Sequence, residues 1–80
     1  MIIKVLGPGC ANCHSLERVT REAVDALDLE ATIVKVEDYP TIVGFGVMAT
    51  PALVVDEKVV VSGRVPTAAQ VRDLLAAAAG

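Results

Sequence analysis

The apolar residues of this chain change their spacing abruptly at Gly7-Pro8-Gly9, and that change restricts the fold more than any other feature. Before it, Ile2-Ile3-Lys4-Val5-Leu6 is a nearly continuous apolar run rich in β-branched residues. Such a run predicts a buried strand over residues 2–6. After it, from Ala11 to Leu27, apolar residues recur at the period of a helix. Leu16, Val19, Ala23, Val24 and Leu27 fall on one face, and Glu17, Arg18, Arg21, Glu22 and Asp25 on the other. A second β-branched run predicts a strand over residues 31–37. Strand, helix, strand in this order requires a parallel pair joined by a right-handed crossover.

The rest of the chain completes the sheet. Asp38 is placed to cap a short helix with Pro40 in its first turn, and Gly44 and Gly46 keep that helix short. Two valine-rich strands, about 52–55 and 58–62, flank a polar turn and read as a hairpin. Thr67 and Gln70 form a capping box for a last helix, running to about Ala78 with Val71, Leu74, Leu75 and Ala78 as its apolar stripe. The predicted order is β-α-β-α-β-β-α. It is an α/β architecture, a four-stranded mixed sheet flanked by helices. At 80 residues, the chain is expected to form one domain over 1–80.

Composition removes several classes of function. Hydrophobic residues make up 54% of the chain, so it is expected to fold rather than remain disordered. Tyr39 and Phe45 are its aromatic residues, which leaves Val, Ile, Leu and Ala to build the core. Both aromatics are expected to pack locally around the short helix, and Lys4 to reach solvent on a thinly covered sheet face. A net charge of −3 with interspersed signs argues against nucleic acid and against an anionic membrane as partners. No apolar run approaches the roughly 18 residues of a membrane helix. The N-terminus lacks the apolar region and small-residue cleavage site of a signal peptide, so a cytoplasmic location is expected. Two cysteines are too few for a disulfide scaffold. In a reducing compartment a close pair points to catalysis or metal.

Those cysteines, Cys10 and Cys13, stand where the first strand gives way to the first helix. Loops at the C-terminal ends of parallel strands are where α/β folds place their chemistry. Residues three apart on a helix have β-carbons about 5–6 Å apart, so a rotamer change brings the two sulfurs within bonding distance. Unpaired N–H groups and the helix dipole favour a thiolate at Cys10, lowering its pKa below the free value of about 8.5. Cys10 is therefore the expected nucleophile in disulfide exchange. Cys13, further along the helix and less exposed, is the expected resolving thiol.

Other chemistries share these residues. Cys-x-x-Cys-His is also the attachment pattern for a c-type haem, with Met48 as the available internal methionine ligand. The valine-rich strands and the absent export signal argue against it. A small metal-binding or metal-delivery module would use the same thiolates for Cu(I) or zinc. Such folds run β-α-β-β-α-β and end on a strand, whereas this chain ends in a capped helix. A closed zinc site needs four ligands, and only Cys10, Cys13 and His14 are local. His14 reads either as a cation that tunes the Cys10 thiolate or as a solvated surface histidine.

The strand Ile2–Leu6, the Gly9–Cys13 turn into a helix, Val47-Met48-Ala49-Thr50-Pro51 before a strand, and the hairpin ending in Ser62-Gly63 together resemble the thioredoxin superfamily. The likeness is to its small thioredoxin-like or glutaredoxin-like redox-active disulfide proteins, and it covers nearly all of the chain. It implies a minimal thioredoxin (glutaredoxin-like) fold with a cis Thr50–Pro51 bond facing the cysteines. It further implies that the Thr50 backbone pairs with the substrate chain, and that Gly63 lies in the adjoining loop, where a side chain would obstruct that approach. Typical thioredoxins have Trp before the first cysteine and Gly-Pro between the two, where this chain has Gly9 and Ala11-Asn12. Lys4 stands nearest to the buried acid that assists their resolving thiol, which leaves water, Glu37 or Asp38 as proton acceptors for Cys13. The expected activity is that of a dithiol–disulfide oxidoreductase with no metal or organic cofactor. Its expected partners are a protein disulfide and a thioredoxin-reductase-like or other electron donor, and the chain is expected to be a monomer.

Overall fold

Each change of period in the sequence coincides with a change of element in the computed structural model, which describes residues 1–9 and 11–79. The elements are β1 (Ile2–Leu6), α1 (Ala11–Leu27), β2 (Thr32–Val36), α2 (Tyr39–Gly44), β3 (Ala52–Val55), β4 (Lys58–Ser62) and α3 (Ala68–Ala79). The sheet has four strands in the order β2-β1-β3-β4. β1 and β2 are parallel, with Ile2 beside Thr32 and Leu6 beside Val36. β3 runs antiparallel to β1, from Ile3 beside Val55 to Leu6 beside Ala52. β4 closes the hairpin on β3, with a register shift between Leu53 and Val54. Among the described residues no helix is long and apolar enough to cross a membrane.

Because strand side chains alternate between faces, the sheet divides the interior into two clusters. Ile3, Val5, Leu53, Val55 and Val61 pack with Leu16, Ala23 and Val24 of α1 and Val71 and Leu75 of α3. Leu6, Val36, Ala52 and Val54 pack on the other face with Ile42 of α2 and Val47. β1 and β3 lie in the centre, and β3 is buried along its whole length. Fully burying such a Val, Leu or Ile side chain contributes about 1.5–3 kcal/mol. Aliphatic residues therefore carry this core, as the scarcity of aromatics requires.

The helix ends follow their caps. Thr67 Oγ1 accepts from the Gln70 N–H at 3.1 Å, while Gln70 Oε1 accepts from the Thr67 N–H at 2.9 Å. This reciprocal pair satisfies two N–H groups that α3 would otherwise leave open, and such a cap stabilises by about 1 kcal/mol. The chain ends on α3 and not on a strand, so it does not have the β-α-β-β-α-β order on which the metal-delivery reading drew.

One buried residue is not anticipated, and two residues, Lys4 and Tyr39, depart from expectation. Thr20 lies in the apolar face of α1 and is fully buried. Its hydroxyl donates to the Leu16 carbonyl at 2.7 Å, which satisfies the polar group locally and lets it enter the core. Lys4 does not simply extend into solvent. Its Nζ lies 2.9 Å from Glu57 Oε1 and 5.0 Å from the centre of the Phe45 ring. The β3–β4 turn makes this possible. Asp56 and Glu57 both adopt positive φ, 48° and 72°, as a tight two-residue hairpin requires. Asp56 also exchanges hydrogen bonds with Ile2, its N–H donating at 2.9 Å and its Oδ1 accepting at 2.8 Å, so the turn folds back on β1. Tyr39 does not pack around α2 but stands exposed, whereas Phe45 lies against the second cluster.

Candidate functional site

Strand register brings the site together. Leu6 pairs with Ala52 on the central antiparallel ladder, so one rung further on Gly7 comes opposite Pro51. Proline has no N–H, and the β1–β3 ladder stops there. The Gly7 N–H donates instead to the Val36 carbonyl on β2 at 2.9 Å. The Thr50–Pro51 peptide bond is cis. The Pro51 carbonyl accepts from the Gly63 N–H at 2.9 Å, which ties the end of the hairpin to the proline. Gly63 has φ of +76°, and a β-carbon on it would come within 3.2 Å of the Ala49 β-carbon. Both conformation and space therefore favour glycine at this position.

From Gly7 the chain turns through Gly9, whose φ is +89°, into α1 at Ala11. Cys13 lies in the first turn of α1 and points inward, with 5% of its surface exposed. It packs on the end of β1. A β-carbon built on Gly7 would overlap the Cys13 Sγ and would lie 3.2 Å from the Cys13 Cβ and 3.9 Å from the Pro51 Cα. Gly7 thus has Cys13 packed directly on it and the Pro51 backbone to its side. Cys10, the expected nucleophile, lies outside the described residues.

The rim is open. Ala11, Asn12 and His14 are exposed on the α1 side, and Met48 and Ala49 on the side of the loop that leads to half-buried Thr50. Met48, the methionine available to a haem iron, is 96% exposed and has no apolar wall around it. Below His14, Glu17 bridges Arg21 on α1 and Lys35 on β2, both at 3.3 Å. Burial pushes the Glu17 carboxyl up, but the Lys35 ammonium and then the Arg21 guanidinium outweigh it and hold it below its ordinary value. Among the described residues no group of three or more His, Cys, Asp or Glu side chains is arranged to hold a metal ion.

Asp38 is committed elsewhere than to Cys13. Its Oδ2 accepts from the Thr41 hydroxyl, and from the Thr41 N–H at 3.1 Å, which caps α2. These bonds, the hydroxyl first, hold its carboxyl below the usual aspartate range. A folded-state pKa below the unfolded value of about 3.9 makes the stabilisation complete above that value. It is lost as the pH falls through the folded value. Asp38→Asn keeps an oxygen that can cap but cannot be titrated. The variant is expected to lose less stability than the parent between about pH 5 and pH 2. Urea midpoints measured across that range check this, and parallel acid limbs for the two proteins would refute it.

The structure therefore brings Cys13, Thr50, Pro51 and Gly63 to one end of the central strands. It leaves His14 on the exposed face of α1. Sequence reasoning passed over Gly7. The only hint was a glycine directly after a buried strand residue, and its meaning depends on Pro51 lying across the ladder.

A thioredoxin domain family model matches residues 1–76. The chain is 37% identical over 75 residues to a thioredoxin of Methanothermobacter thermautotrophicus, an alignment covering 94% of this chain and 97% of the relative. It is 31% identical over 75 residues to a thioredoxin of Methanocaldococcus jannaschii, covering 94% and 86% of the two chains. With the sheet order, the cis proline and the buried cysteine in place, these matches identify the chain as a member of the thioredoxin family.

Proposed function

We propose that this chain is a dithiol–disulfide oxidoreductase that reduces protein disulfides through Cys10 and Cys13. The observation that carries the reading is the burial of Cys13 against Gly7, at the strand end that the cis proline faces, three residues after Cys10 in sequence. Membership of the thioredoxin family supports thiol–disulfide exchange as the general chemistry.

The Cys10 thiolate attacks one sulfur of a substrate disulfide. A Cys10–substrate bond forms, the substrate S–S bond breaks, and the second substrate sulfur leaves as a thiolate and takes a proton. Cys13 then loses its proton and attacks the Cys10 sulfur. The Cys10–Cys13 bond forms and the first substrate sulfur departs to be protonated. Two electrons and two protons have passed from the dithiol to the substrate. The sulfurs carry the electrons, so the step uses neither a metal nor an organic cofactor. An external dithiol donor, of the thioredoxin-reductase kind, restores the reduced pair.

The arrangement divides the roles. A buried resolving thiol does not compete for substrate. The open rim around Thr50 admits an extended chain, and Thr50 offers it backbone hydrogen bonds. His14, exposed on α1, faces solvent and serves at most to bias the Cys10 thiolate.

A redox titration tests the proposal. Equilibrated with thiol–disulfide buffers of graded potential, the pair is expected to titrate as one two-electron couple, tenfold in ratio per about 30 mV. The reduced form is expected to reduce a disulfide-bonded protein. If no reversible Cys10–Cys13 disulfide forms, the proposal fails.

A further inference from the structure

We propose that Gly7 is a positioning residue for the resolving step, the seat into which the Cys13 sulfur fits. The proposal rests on the reading of Cys13 as the resolving thiol. Glycine at a strand end commonly reflects backbone conformation, but that reason does not apply here. Unlike Gly9, Gly46 and Gly63, Gly7 does not have a positive φ. Its N–H bond to the Val36 carbonyl would survive in alanine. Only space forbids a side chain, because a β-carbon would fall on the Cys13 Sγ. What would have to give is a buried sulfur on the first turn of α1, packed against Gly7 at the end of β1. A cysteine sulfur can move away only by rotating its χ1 or by lifting the helix turn that carries it.

The consequence is kinetic. Resolution requires the Cys13 sulfur to reach the Cys10 sulfur in line with the bond it breaks, and misplacement by about 1 Å can cost on the order of 100-fold in such a step. Attack by Cys10 on the substrate does not use the seat. A methyl group at position 7 therefore separates the two steps: formation of the mixed disulfide continues, and its resolution slows.

Two measurements test this. The first is a stability cycle that needs no substrate. Gly7→Ala is expected to lower the melting temperature of the reduced protein by roughly 5–20 °C, the range for an overpacked site in a domain of this size. In a Cys13→Ala background the added methyl enters the volume the sulfur leaves, and the same substitution is expected to shift the melting temperature by less than about 3 °C. Equal losses in both backgrounds would overturn the seat. Where Gly7→Ala alone does not fold, recovery of a folded chain in the double variant supports the proposal, and continued loss overturns it. The second measurement follows the mixed disulfide with a disulfide-bonded protein by rapid acid quench and mass spectrometry. Gly7→Ala is expected to lengthen its lifetime at least about tenfold while the rate of Cys10 alkylation stays within about twofold of the parent. Equal slowing of both would reduce Gly7 to a structural residue. A chain that forms no mixed disulfide would refute the proposed function and leave the stability cycle to decide the packing.

Discussion

Replacing Cys13 with serine is expected to convert a turnover enzyme into a covalent trap. Cys10 still attacks a substrate disulfide and releases one substrate thiol. The serine hydroxyl, which does not ionise near neutral pH, cannot displace the second. The mixed disulfide persists, and steady-state reduction of a protein disulfide falls to the uncatalysed background when no other thiol is present. Intact-mass measurement should find a single substrate chain attached to each protein chain, released by added dithiothreitol. The substitution exchanges a buried sulfur for a smaller oxygen against Gly7, so the fold is expected to survive it. A Cys13→Ser variant that turns over at the parental rate would remove Cys13 from the mechanism.

The largest expected loss of stability lies at Leu53. Its side chain is fully buried, and its neighbours in register are Val5 on β1 and Val61 on β4. All three belong to the cluster closed by α1 and α3. Leu53→Ala removes apolar contact and leaves a cavity that the strands on either side cannot close, at a cost of about 2–5 kcal/mol. An 80-residue chain has roughly 4–12 kcal/mol of stability in total. The variant should therefore melt about 10–30 °C lower, or fail to fold. Met48→Ala, at a residue 96% exposed, should change stability by less than about 0.5 kcal/mol. Urea unfolding of the two variants measures the contrast. A cost below about 1 kcal/mol at Leu53 would contradict the packing described.

Much of this architecture is legible in the residues because the period changes where the elements change. β1, β3, β4 and α1 have the predicted bounds, and β2 is one residue shorter at each end. Gly44 and Gly46 stop α2, and Thr67 with Gln70 starts α3, because caps and breakers act over a few residues. What escapes is set by distant partners. Gly7 has meaning only once the ladder puts Pro51 across from it. Lys4 finds Glu57 only once the hairpin turn folds onto β1. Thr20 reads as polar, and its burial depends on a bond to its own helix that leaves no mark in the hydrophobic pattern. Tyr39 looks like a packing residue, yet a six-residue helix has little inner face to offer it.

The two faces of the sheet are covered unequally. One carries α1 and α3, 17 and 12 residues long, with five and two buried side chains. The other carries α2, in which Ile42 is the buried residue. Segments with so little buried contact open at low free energy, long before the whole molecule unfolds. The chain leaving α2 runs directly through Val47 to Thr50 and Pro51, so the rim of the candidate site is tethered to the least anchored helix of the fold. Cys13 hangs from one of the best anchored. Local opening on the α2 side would reshape the surface around Thr50 and Pro51, while the Cys13 sulfur stays registered to the central strands.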